Sequence, residues 1–176
     1  MLLTSMSYPM MKMKEGLEEL VQKLIESEKI VERQTLSTAL LRDFEIQQAI
    51  GSGNFGTVKL CKHKVMMKTY CVKILDKQTI RKSRQEGHLK NEVEVLSSIS
   101  QPFIAQLYNV FQDEESIYLL MDYVCGGEML TLIRTSGHLS EPLTQFYAAE
   151  VVCALEYLHS RRIAHRDLKP VCFPRK

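Results

Sequence analysis

Gly51-Ser-Gly-Asn-Phe-Gly-Thr-Val-Lys-Leu-Cys61 carries glycines in the pattern G-x-G-x-x-G-x-V. Two kinds of phosphate-binding turn share those glycines. A dinucleotide turn opens a helix whose N-terminus holds the pyrophosphate. Here Thr57-Val-Lys-Leu-Cys61 alternates polar and apolar residues, which is the period of a strand. The stretch therefore predicts a glycine hairpin between two strands, with backbone N–H groups able to approach an anion. An ordinary glycine-rich hairpin is the competing reading of these residues alone. A dinucleotide-binding oxidoreductase is set aside, because no helix follows Gly56.

Downstream, Tyr70-Cys-Val-Lys-Ile-Leu75 reads as a short strand that is apolar except for Lys73. A lysine there is costly to bury unless it meets an anion, although an edge lysine reaching for water also fits. The next segment, His88 to Ile99, has helical spacing. At about 100° per residue, Leu89, Val95, Leu96 and Ile99 share a face, and Glu92 falls within it. A carboxylate in that position needs a partner, and Lys73 is the economical one. Further on, His165-Arg-Asp-Leu-Lys-Pro170 sets Asp167 and Lys169 among basic residues. Asp167 is suited to accept a hydroxyl proton and Lys169 to neutralise a transferring phosphate; a surface charge cluster is the bland alternative.

Between these features the chain alternates strands with one helix and then turns wholly helical, an α+β order. Strands are predicted around 104–111 and 116–124, a short helix over 128–133 ending near Gly137, and a long helix after Ser140. Ser140 is the expected N-cap, with Pro142 in the first turn. That helix presents Leu143, Phe146, Tyr147, Val151, Ala154, Leu155 and Leu158. Ahead of the strands, Leu17, Leu20, Val21, Leu24 and Ile25 predict an amphipathic helix over about 14–33, with a docking or coiled-coil stub as its alternative. The domain reading is 1–43 N-terminal segment, 44–125 strand-rich lobe and connection, 126–170 helical part, and 171–176 tail.

Bulk properties fit an ordinary domain. The 176 residues are 45% hydrophobic and 25% charged, with a net charge of +2. That charge demands neither nucleic acid nor a membrane, and the basic stretch 59–90 reads as a solvated face. The five cysteines show no C-x-x-C pair and no metal-ligand spacing. No metal site is predicted, and reduced thiols place the expected location in the cytoplasm or nucleus.

Taken in order, the glycine loop, YCVKIL, the Asn91-Glu92 of the helix, MDYVCGGEM, LSEPLTQFYAAEVV, EYLHS and HRDLKP resemble the eukaryotic protein kinases, specifically the cAMP-dependent catalytic subunits of the AGC group. The resemblance implies the kinase fold: a five-stranded antiparallel sheet with its helix, followed by the first helices of the lower lobe. It implies that Gly51, Gly53, Phe55 and Gly56 cover ATP phosphates, that Val58 packs on adenine, and that Lys73 holds phosphates while Glu92 aligns it. Met121, Asp122, Tyr123 and Val124 resemble the hinge, with the Asp122 carbonyl and the Val124 N–H on the adenine edge. Glu128 resembles the acid that holds ribose. Implied partners are ATP, Mg²⁺, protein substrates with basic residues before Ser or Thr, and a cAMP-binding regulatory subunit. The sequence departs from the family after Pro170. Val171 and Cys172 stand where the family has Glu and a magnesium-binding Asn, and a thiol is a poor ligand for a hard cation. The ending VCFPRK reads as a non-family tail, and the 176-residue chain is expected to lack activity.

Overall fold

The computed structural model describes residues 8–53, 55–125, 129–166 and 168, giving the backbone alone for 8–19, 22, 25 and 130. The chain divides into two compact units between Ala39 and Leu40. The first holds one helix, α1 (Tyr8–Thr38), longer at both ends than the 14–33 expected. Leu20, Val21 and Leu24 of its stripe are 54%, 45% and 57% exposed, so amphipathic spacing here does not mean burial.

The second unit is built on five strands: β1 (Phe44–Gly53), β2 (Gly56–His63), β3 (Thr69–Asp76), β4 (Leu107–Gln112) and β5 (Ser116–Asp122). They form one antiparallel sheet in the order β1-β2-β3-β5-β4. After β3 come α2 (Lys77–Lys82) and α3 (Glu86–Ser98); α4 (Met129–Ser136) and α5 (Glu141–Ser160) follow β5. The α+β, kinase-like arrangement is as expected.

Strand residues opposite each other share a face, and successive residues change face. On one face Leu75 and Leu119 join Leu107 and Ile80 as a buried core, with Leu89, Val93 and Leu96 of α3 packed on it. The spacing i, i+4, i+7 of those three explains why α3 lies on the sheet. On the other face Phe44, His63, Tyr70, Tyr108 and Phe111 form a chain of ring contacts with centroids 5.0 to 6.2 Å apart. The end of α5 is tied to the end of α3. Tyr157 Oη accepts from the Ser100 amide at 2.9 Å, and Arg161 donates to the Ser98 carbonyl at 3.2 Å. A guanidinium is the right group there, since the last carbonyls of a helix carry partial negative charge.

One helix cap differs in detail from the sequence reading, and one helix end agrees with it. Ser140 does sit at the α5 N-cap, but its side chain makes no capping bond; its carbonyl accepts from Thr144 instead. The α4 helix stops at Gly137, whose φ of 78° is the left-handed stop a glycine adopts without strain. The α2 helix has no counterpart in the sequence reading. Asp76 caps it: Oδ1 accepts from Thr79 N at 2.6 Å and from Thr79 Oγ1 at 2.5 Å. These bonds, with Lys82 nearby, hold the Asp76 carboxyl below its ordinary 3.8. Its folded pKa is the lower one, so its contribution is complete above the unfolded value and disappears as pH falls through the folded value. Asp76→Ala should lower the melting temperature between pH 5 and 7, and the gap to wild type should close below about pH 4. A gap that stays constant down to pH 2 would show that the carboxylate is not the cap.

Candidate functional site

The strand register gathers most of the singled-out residues at one end of the α3 face. Val58 pairs with Lys73 and Lys73 with Leu119; Leu60 pairs with Cys71 and Cys71 with Met121. Val58, Lys73, Cys71 and Met121 therefore face the same way, beneath the glycine turn that joins β1 to β2. Lys73 Nζ donates to Glu92 Oε1 at 3.1 Å, across 19 residues of sequence. The two side chains remain 35% and 48% exposed, so Glu92 stands at the rim of the packed stripe rather than inside it. A pair this solvated adds about 0–1 kcal/mol to stability. Its consequence is positional: it fixes where the ammonium points.

The three glycines of the turn are not equivalent. A Cβ on Gly56 would overlap the Ile74 carbonyl oxygen and lie 2.8 Å from its carbon. On Gly51 it would touch Val58 Cβ at 3.9 Å, and on Gly53 it would meet nothing within 4 Å. Gly56 is thus required by the β2–β3 approach, while Gly51 and Gly53 leave room above the sheet. The turn is pinned at its base, where the Asp76 amide donates to the Phe55 carbonyl at 3.1 Å. The Phe55 side chain is partly exposed, at 38%. Asn54 lies outside the described residues.

The far edge is braced through Asp122. Its carboxylate accepts from Tyr108 Oη at 2.7 Å and from the Gln106 amide at 2.9 Å, and its own amide donates to the Gln106 carbonyl at 3.1 Å. Its carbonyl accepts from Cys71 Sγ at 3.1 Å. Burial first, and then the Asp122 charge, push the Cys71 thiol up to about 11, so it keeps the proton it donates. The sequence reading singled out Asp122 for its carbonyl and missed both the bracing role of its carboxylate and the Cys71 thiol. Val124 is half-buried two residues on. A separate groove of about 400 Å³, lined by Ile80, Leu89, Val93, Val110 and Ile117 among others, includes neither Lys73 nor Glu92.

Against known proteins, a family model described as protein kinase domain matches residues 44–172. The chain belongs to the protein kinase family. A 138-residue stretch is 44% identical to cAMP-dependent protein kinase type 3 of Saccharomyces cerevisiae, covering 78% of this chain and 35% of that one. Over 130 residues it is 41% identical to the human cAMP-dependent protein kinase catalytic subunit PRKX and 45% identical to the Dictyostelium discoideum cAMP-dependent protein kinase catalytic subunit. These cover 74% of this chain in both cases, and 36% and 20% of the relatives. The chain thus spans about a third or less of the length of these relatives. The kinase match opens on Phe44, the first residue of β1, and takes in the whole sheet. Of the kinase residues expected from the sequence, Glu128, Asp167 and Lys169 lie outside the described residues, as do Val171 and Cys172. His165 and Arg166, just ahead of Asp167, are exposed, and Arg166 has a φ of 65°.

Proposed function

We propose that this chain binds ATP in the space between the glycine turn and the Lys73 end of the sheet, as the nucleotide-holding part of a protein serine/threonine kinase. The 3.1 Å Lys73–Glu92 pair is the observation that carries this reading. An ammonium has three donors. Glu92 engages one and orients the group, so the lysine can meet phosphate oxygens as a charge-assisted donor. Gly51, Gly53, Phe55 and Gly56 would cover the phosphates, and Val58 would pack against the base. Met121, the Asp122 carbonyl and the Val124 N–H would meet the adenine edge, and Glu128 the ribose. In the whole protein the γ-phosphate would pass to a Ser or Thr near basic residues. There Asp167 would accept the hydroxyl proton and Lys169 offset the developing charge. A cAMP-binding regulatory subunit is a proposed partner, resting on the names of the relatives above.

Mg²⁺ fits these residues poorly. Cys172 offers a soft thiol where the resemblance expects a hard amide oxygen. The 176-residue polypeptide is therefore expected to bind nucleotide without measurable phosphotransfer. Thermal melting under an ATP titration tests the first part, with a saturable rise expected. No rise at millimolar ATP, with or without Mg²⁺, would refute binding. Transfer to an arginine-rich serine peptide by the purified polypeptide would refute the second part.

A further inference from the structure

The turn between β2 and β3, Lys64-Val-Met-Met-Lys68, is the opposite of a solvated loop at its apex. Val65 is 85% exposed and Met67 is 61% exposed. Around them stand Lys62, Lys64 and Lys68, joined by Arg42, whose carbonyl accepts from Lys64 Nζ at 2.7 Å. Lys68 reaches back over Tyr70, its ammonium 5.8 Å from the ring centroid. The carboxylates at this end are Asp43, whose carbonyl accepts from the Lys64 amide, Glu45, which pairs with Lys62, and Asp122, which pairs with Tyr70. Four cations against three anions leave this end of the sheet positive.

The amides of the apex ask for nothing from a partner. His63 N donates to the Lys68 carbonyl, Lys64 N to the Asp43 carbonyl and Met67 N to the His63 carbonyl, each at 2.9 Å. Val65 N and Met66 N both donate to His63 Nδ1, at 3.3 and 3.1 Å. Every amide from 63 to 67 is therefore satisfied within the chain. Satisfied amides lower the cost of moving the turn from water to the bilayer interface, where an unpaired N–H is expensive and carbonyls can still meet water among the headgroups. A convex tip with apolar side chains, a ring of cations and no backbone donors on offer is complementary to a flat, negatively charged, deformable surface. A folded acidic protein would instead have to supply a cavity and polar contacts.

We propose that the β2–β3 tip docks on bilayers containing anionic phospholipid, with Val65 and Met67 entering the interface and Lys62, Lys64, Lys68 and Arg42 lying among the headgroups. The whole-chain charge of +2 averages this patch away. The docking does not depend on nucleotide binding.

Vesicle flotation of the 176-residue chain tests it, because aggregated protein stays at the bottom of the gradient. The chain should float with phosphatidylcholine–phosphatidylserine vesicles at low salt. It should not float with phosphatidylcholine alone, and the binding should fall away as salt shortens the screening length. The double variant Val65→Asp/Met67→Asp should float at least tenfold less. Aspartate tolerates the left-handed φ of 56° at Met67, so this variant keeps the turn. Lys62→Ala/Lys68→Ala should lose affinity by about fivefold per lysine. Cooperative melting at the wild-type temperature serves as the fold control. Equal flotation with neutral vesicles, or wild-type flotation by the double aspartate variant, would overturn the proposal. Retention on polyglutamate beads with no flotation would assign the tip to an acidic protein and overturn it equally.

Discussion

Gly56→Ala should destabilise the domain by about 2–4 kcal/mol, the largest single effect expected in the glycine turn. The added methyl group would meet the carbonyl of Ile74, a main-chain group in a paired strand that cannot rotate aside as a side chain can. Relief requires β2 and β3 to separate, which breaks the register that sets Val58 opposite Lys73. Gly53→Ala is the matched control: its new methyl meets nothing within 4 Å, so its melting temperature should stay near wild type. Denaturant unfolding of the two variants measures the difference. Equal midpoints would mean that β2 and β3 do not approach as closely as described.

The second large effect concerns ligand affinity rather than stability. Lys73→Met should weaken ATP binding about 10- to 100-fold, the range set by losing a charge-assisted bond to phosphate. Its melting temperature without nucleotide should barely move, because the pair with Glu92 is a third to a half exposed and contributes little to folding. Glu92→Gln keeps an acceptor for the ammonium while removing the charge, so its loss should be smaller. Calorimetric titration of the three proteins separates these outcomes. Unchanged affinity in Lys73→Met would remove the phosphate role of this lysine.

Much of the strand order was legible because the relevant signals are local. The polar–apolar alternation after Gly56 distinguishes a hairpin from a helix within five residues. Lys73 and Glu92 were joined by a cost argument, that a charge among apolar neighbours requires an opposite one. Their pairing in space supports the conclusion, although the premise was overstated, since Glu92 sits at the rim. What escaped was of two kinds. The α2 helix is six residues long, too short to show an apolar period, and its only signal was Asp76 three residues before Thr79. The Cys71 thiol on the Asp122 carbonyl, and the carboxylate braced by Tyr108, depend on how β3, β4 and β5 register. Register is fixed by contacts 14 to 51 residues apart, and no local pattern announces them.

Asp76 serves two elements at once, its amide bonded to Phe55 and its side chain to Thr79. Lifting the glycine loop breaks the first bond and spares the second, at a cost of about 1 kcal/mol, close to thermal energy. The loop can accordingly breathe many times in the life of a folded molecule without unravelling the helix beside it. Deuterium uptake at that one amide keeps time for the motion.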